Sequence, residues 1–279
     1  MVNSNGFLVD NTEILGTSNR GFLYGDAVFE TMRIRNGTVL FLEDHYFRLM
    51  ATMRIVRMEI PMNFTMKYLE AQILSTIQAN HCENGARVRI TVYRNNGGFY
   101  LPDTNTVGFV IQAIPLEQDE YVIQALPYEV DLYKDFHIAK HLLSTLKTTN
   151  KMIHITGSVF AKENDLQNCL ILNEEKNVVE ALQGNIFMLM GKTLITPPIS
   201  DGCLNGVMRK NLLEIAKGME QLEVLENSIS PFDLQKADEL FITNVIQGIQ
   251  PITKYRKKEY KTELAKLLVQ KINDKFLGN

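Results

Sequence analysis

The chain has 279 residues, 45% of them hydrophobic and 22% charged, with 17 Gly and 8 Pro; these values exclude intrinsic disorder, collagen and coiled coil as overall descriptions. Basic residues number 29 and acidic ones 32, a net charge of −3 that gives no electrostatic reason to expect nucleic acid. The length suits one large domain or two.

In chain order, the short apolar stretch Val39 to Leu42 leads into Glu43–Met58, where Tyr46, Leu49, Met50 and Met53 recur at helical spacing. Met66–Ala79 repeats the pattern with Leu69, Ile73 and Ile77. Arg87–Tyr93 sets Val88, Ile90 and Val92 against Arg89 and Thr91, the alternation of a half-buried strand. Thr106–Ile114 reads as a second strand beyond the turn-rich Asn95-Asn96-Gly97-Gly98. The polar, Pro-containing run Pro115–Glu120 lacks either period and marks the expected domain boundary. Beyond it the pattern predicts a helix at Lys151–Glu163, strands at Cys169–Leu172 and Asn185–Met190, and a helix at about Gly206–Lys217. A short strand at Glu239–Thr243 and a final amphipathic helix from Lys261 complete the series. The expectation is an α/β (α+β) chain in two subdomains with mixed strands.

Cys82, Cys169 and Cys203 are odd in number and lack C-x-x-C spacing, so buried thiols in a reducing compartment are expected rather than a zinc ribbon or disulfide scaffold. The N-terminal residues lack a basic start followed by an apolar run, and no stretch reaches bilayer-spanning length. A cytoplasmic protein without a membrane partner is expected. His137 and His141 are four apart, but no Glu directly follows His137, so no metal site is expected. Serine-hydrolase and common nucleotide fingerprints are absent. One anion-binding candidate remains: Asp201–Arg209, a Gly-containing loop that runs into an apolar helical pattern, where outward N–H groups and the helix dipole favour negative charge.

Asn19–Arg33 and Leu42–Leu49 carry further motifs, Gly25-Asp26-Ala27-Val28-Phe29-Glu30-Thr31 and Glu43-Asp44-His45-Tyr46-Phe47-Arg48-Leu49. Lys147-Thr148-Thr149-Asn150, Val179–Phe187, Asn205–Arg209 and Phe241–Asn244 follow in order. Together these closely resemble the class IV aminotransferases, the fold-type IV enzymes that use pyridoxal 5′-phosphate (PLP). That family includes branched-chain and D-amino acid aminotransferases and 4-amino-4-deoxychorismate lyases.

The resemblance implies subdomains at 1–118 and 119–279, with PLP in the cleft between them, a small-molecule substrate and a homodimer. Lys147 matches the lysine that bonds covalently to PLP, chemistry that needs an amine able to lose its proton. Glu180 matches the acid that pairs with the pyridine nitrogen. Arg48 matches the arginine on the cofactor phosphate, where a planar fork of donors suits the anion. Gly206, Val207 and Met208 fall on the phosphate cup, Asn244 and Val245 on a second phosphate loop, and Asn185 in the Val179–Phe187 motif with Glu180. Many aminotransferases carry threonine where Met208 stands and a hydroxyl residue where Val245 stands. Arg94 matches an arginine that receives a substrate carboxylate, with Arg89 on the same strand as its competitor.

Thr31 stands where branched-chain aminotransferases typically have glycine and the lyases threonine. Its hydroxyl is expected to pass a proton between Lys147 and substrate. Thr31, Met208 and Thr243-Asn244 favour the lyase branch, which releases pyruvate and 4-aminobenzoate for folate synthesis. A branched-chain or D-amino acid aminotransferase is the alternative. A non-catalytic PLP-fold protein would have no need of Lys147, Glu180 and Arg48 together.

Overall fold

The computed structural model describes residues 1–10, 15–118, 120–124, 126–276 and 278, so Asp119, within the expected boundary, lies outside the described residues. The first sheet contains β1 (Val2–Ser4), β2 (Phe7–Val9), β3 (Ala27–Arg35), β4 (Thr38–Val39), β5 (Gly85–Arg94) and β6 (Val107–Pro115). Its order is β2-β1-β6-β5-β3-β4, with every neighbouring pair antiparallel. Successive side chains of a strand point to opposite faces. Val28, Met32 and Ile34 of β3 therefore join Val88, Ile90 and Val92 of β5 in one core. Phe29, Thr31 and Arg33 line the other face, with Thr31 directly opposite Arg89.

Three helices belong with this sheet: α1 (Arg20–Tyr24), α2 (Leu42–Ile55) and α3 (Met66–Ala79). α3 has the bounds its periodicity predicts. Thr65 accepts the N–H of Tyr68 at 3.1 Å and starts the helix. Leu69, Ile73 and Ile77 bury one face in the core, each contributing about 1.5–3 kcal/mol. α2 stops before the predicted Met58. Arg57 adopts a left-handed φ of 60°, and the Met58 N–H turns back to the Met53 carbonyl at 2.9 Å, which closes the helix.

The second sheet is ten-stranded and mixed. Its strands are β7 (Glu129–Ile138), β8 (Asn168–Asn173), β9 (Val178–Ala181), β10 (Gly184–Met190), β11 (Thr193–Thr196), β12 (Glu223–Glu226), β13 (Glu239–Asn244), β14 (Gly248–Ile252), β15 (Lys254–Tyr255) and β16 (Lys258–Glu259). They run β12-β11-β10-β9-β8-β7-β15-β16, with β13 pairing both β10 and β14. α4 (Met152–Glu163), α5 (Val207–Lys217) and α6 (Glu263–Phe276) accompany them. Glu239 at the start of β13 accepts the N–H groups of Leu264 and Ala265 at 2.8 and 3.1 Å, placing a buried carboxylate at the positive end of α6.

The chain divides into two units, Met1–Asp119 with Lys147–Asn150, and Glu120–Leu146 with Lys151–Asn279. The expected division at 118/119 is thus corrected at one place. Lys147 to Asn150 leave the C-terminal subdomain because their backbone bonds to the start of β3: the N–H of Phe29 donates to the Lys147 carbonyl at 2.9 Å and that of Thr149 to Ala27 at 3.0 Å. Among the described residues, no helix is long and apolar enough to cross a membrane.

Candidate active site

In the first unit the bonds to β3 fix the backbone of Lys147 independently of its side chain. Thr149 adds a hydroxyl bond to Gly25 O at 3.0 Å, and Asn150 an amide bond to the same carbonyl at 3.1 Å. Lys147 Nζ lies 4.6 Å from the ring centroid of Phe29, and the Arg89 guanidinium carbon 3.7 Å from the same centroid. The negative face of an aromatic ring attracts both cations. Thr31, 7% exposed, follows Phe29 on the same strand face. Lys147, Thr31 and Arg89 are therefore gathered round one aromatic ring and one strand pair.

The opposite face of β3 holds Glu30, 1% exposed, between two residues of α2. Arg48 donates from Nε to Oε1 at 2.7 Å and from Nη2 to Oε2 at 2.6 Å, while His45 Nδ1 meets Oε2 at 2.8 Å. Burial opposes the charge on Glu30, but the charge and hydrogen bonds of Arg48, with those of His45, outweigh it and hold its carboxyl at about 2. Burial pushes the His45 imidazole below its ordinary value, and its Nε2 is buried without a partner. Glu30 thus fixes the direction of the Arg48 fork.

Arg94 requires a correction. Its Nε donates to Asp26 at 2.9 Å, Nη1 to Asn105 and to Arg57 O, and Nη2 to Val56 O at 2.8 Å. At 6% exposure it is a clamp between β5 and the end of α2, not a receiver of a substrate carboxylate. Arg20 meets the same Asp26 oxygen and donates to the carbonyls of Gly97, Gly98 and Phe99, pinning the Gly-rich turn. Arg94→Ala is expected to lower stability by at least about 2 kcal/mol, since it strips charge-assisted bonds from buried acceptors. Urea denaturation checks this, and an unchanged midpoint would contradict the clamp.

In the second unit, Glu180 of β9, Asn185 of β10 and Thr243 of β13 sit directly opposite one another in register, forming a row on one face. The loop before α5 lies on this row: Glu180 Oε2 accepts the Leu204 N–H at 2.9 Å, and Asn185 Nδ2 donates to Leu204 O at 2.8 Å. Glu180 Oε1 also meets His154 Nε2 of α4 at 2.9 Å. Burial opposes the Glu180 charge, yet the hydrogen bond from His154, the charge of Lys151 and the Leu204 N–H hold its pKa below the ordinary value.

α5 starts at Gly206 with no side-chain cap, and the first bond inside it runs from Lys210 N–H to Gly206 O at 3.0 Å. The N–H groups of Val207, Met208 and Arg209 therefore emerge at the helix start. A Cβ at Gly206 would stand 2.0 Å from Asn185 Oδ1, so the close approach requires glycine. On the second loop, the side chain of Asn244 is committed to the loop itself. Its oxygen accepts the N–H of Ile246 and Gln247 at 3.0 and 2.9 Å, and its amide donates to Gln183 O at 3.2 Å. The expectation of a direct ligand is corrected to a loop-shaping role for that side chain. Val245 is anchored through its carbonyl by the Tyr121 hydroxyl at 2.8 Å.

One residue escapes the sequence reading: no motif marks His154, and the signal that finds it is its contact with Glu180, 26 positions away. Thr243, which the resemblance places at the second phosphate loop, has a buried hydroxyl without a hydrogen-bond partner.

A family model described as amino-transferase class IV matches residues 27–255. Aminodeoxychorismate lyase of Bacillus subtilis is 28% identical over 276 residues, covering 93% of this chain and 88% of its own length. D-alanine aminotransferase of Listeria innocua is 26% identical, with coverage of 87% and 83%. A branched-chain aminotransferase of Thermoproteus uzoniensis, solved with norvaline, superposes with a TM-score of 0.86 at 25% identity, covering 98% of this chain and 93% of that one.

Proposed function

The chain belongs to the class IV aminotransferases, a family of PLP-dependent enzymes, and from that premise we propose that it is a 4-amino-4-deoxychorismate lyase. The reaction releases pyruvate and 4-aminobenzoate, which would serve folate synthesis. The observation that carries this reading is Thr31 on the strand face of Phe29 and Lys147, directly opposite Arg89.

The residues present fit PLP. A helix start rich in free-standing N–H groups, a glycine cradle and the partnerless buried hydroxyl of Thr243 suit a phosphate. A buried, ionised Glu180 suits a protonated pyridine nitrogen. We assign Gly206, Val207, Met208 and Val245 to the phosphate through backbone amides, Arg48 through its guanidinium, and Asn185 as the side chain that holds their loop. Bound PLP supplies an electron sink for a carbanion on the substrate.

The protein's own part is proton traffic and binding. Lys147 would hold the cofactor through Nζ, and the same amine would take the proton from the substrate carbon bearing the amino group. The Thr31 hydroxyl hands a proton toward the departing three-carbon group, which leaves as pyruvate. Arg89, rather than Arg94, receives a substrate carboxylate: it is half-buried, donates to the Thr91 hydroxyl two positions along β5 at 3.1 Å and lies over the Phe29 ring.

Thr31→Gly is expected to lower pyruvate release from aminodeoxychorismate by at least about 10-fold, the low side of an acid–base contribution. Arg89→Ala in the same assay is expected to raise KM. Similarity to D-alanine and branched-chain aminotransferases supports the second reading, an aminotransferase. Fast transamination of leucine with 2-oxoglutarate, with no pyruvate from aminodeoxychorismate, would establish that reading instead.

We further propose a homodimer and a cytoplasmic location. Phe99, Tyr100 and Leu101, 82–91% exposed, form an apolar patch on a turn that Arg20 holds in place, suited to a second copy. Sedimentation at the monomer mass of 31.8 kDa would count against the dimer. Cys82, Cys169 and Cys203 are buried and unpaired, as a reducing compartment would leave them; recovery from a cell-envelope fraction would oppose that location.

A further inference from the structure

His154 stands in the first turn of α4, with Nε2 2.9 Å from Glu180 Oε1. Its Nδ1 is buried and has no hydrogen-bond partner. A neutral imidazole carries a single N–H. Because a carboxylate can only accept, that hydrogen belongs on Nε2, and Nδ1 is left as a lone pair. Of the two neutral tautomers the other fits worse: a hydrogen on Nδ1 would have no acceptor, and it would leave two lone-pair atoms facing each other across 2.9 Å. The tautomer is therefore fixed by the site.

Glu180 consequently receives one donor on each oxygen, His154 on Oε1 and the Leu204 backbone on Oε2. The other ionisable groups acting on this cluster are Lys151, at the start of α4, and Cys203, on the loop before α5. Hydrogen bonds to the charged form of a carboxylate make it a weaker base. A proton shared with a partner then stays on the partner. They also fix the carboxylate plane, leaving its remaining lone pairs in set directions.

We propose that His154 is a positioning residue for Glu180, and that its hydrogen bond keeps the shared proton on the pyridine nitrogen of PLP instead of on Glu180. This rests on the assignment of Glu180 to the pyridine nitrogen. His154 touches neither cofactor nor substrate in this role and acts through the carboxylate alone.

The test uses the full chain loaded with PLP labelled with nitrogen-15 in the ring. In the parent protein the ring nitrogen should give the signal of a protonated pyridine. His154→Phe, which fills the space and removes the donor, should move that signal toward the unprotonated position and lower kcat about 10-fold, with KM little changed. His154→Gln, which restores an N–H donor, should recover most of both. In the cofactor-free protein, the imidazole nitrogens of His154 should report a hydrogen on Nε2 and a bare Nδ1. If Glu180→Gln leaves the ring-nitrogen signal unchanged, the Glu180 assignment fails. If Glu180→Gln moves it and His154→Phe does not, the proposal for His154 alone is overturned. Should the variants not fold, an unprotonated ring nitrogen in the parent protein, or a hydrogen on Nδ1, overturns it equally.

Discussion

Replacing Lys147 with alanine is expected to lower turnover by about 10²–10⁴-fold while leaving the fold intact. The structure supplies the reason for both halves of that result. The segment's backbone is held by Phe29 N–H to the Lys147 carbonyl and by Thr149 to Ala27, bonds that do not involve the lysine side chain. What the substitution removes is an amine at the Phe29 ring, beside Arg89. Lys147→Arg should fail as well, because a guanidinium stays charged and cannot serve as the nucleophile. Turnover in either variant at the parent rate, measured as pyruvate release or as amino-group transfer, would remove Lys147 from the chemistry.

The second large effect is on stability. Glu30→Ala is expected to cost about 3–5 kcal/mol, since it breaks a buried ion pair and removes the carboxylate that Arg48 and His45 share. A urea midpoint within about 1 kcal/mol of the parent, the range of a surface pair, would contradict this. The pH dependence follows from the sign of the shift. The folded carboxyl, at about 2, lies below its ordinary value of 4.5. Its contribution is therefore fully present above pH 4.5 and is lost as pH falls toward 2. Glu30→Gln should accordingly show a flatter loss of stability than the parent across that acid window.

The legible parts of the fold were those decided by local pattern. α3 kept its predicted bounds because the 3.6-residue repeat and the Thr65 cap lie within one stretch of sequence. β7 was missed: Val130 and Leu132 alternate with Asp131, but the pattern fails at the register shift between Tyr133 and Ile138, and its parallel partners β8 and β15 are distant in sequence. The same limit explains the site. Arg94 looked available beside a Gly-rich turn, whereas its acceptor Asp26 is 68 positions away. His154 and Glu180 meet only through the packing of α4 and β9, and the row Glu180–Asn185–Thr243 exists only through strand register. Family motifs named the types of residue; the hydrogen bonds decide which of them are committed to the scaffold.

Reductive trapping asks of the molecule itself whether Lys147 is the residue that bonds to PLP. The full chain is loaded with PLP, reduced with borohydride, digested and mapped by mass spectrometry. A phosphopyridoxyl label is expected on the peptide containing Lys147, and its loss in Lys147→Ala. A label on another lysine, such as Lys151, or no label on a protein saturated with PLP, would contradict it.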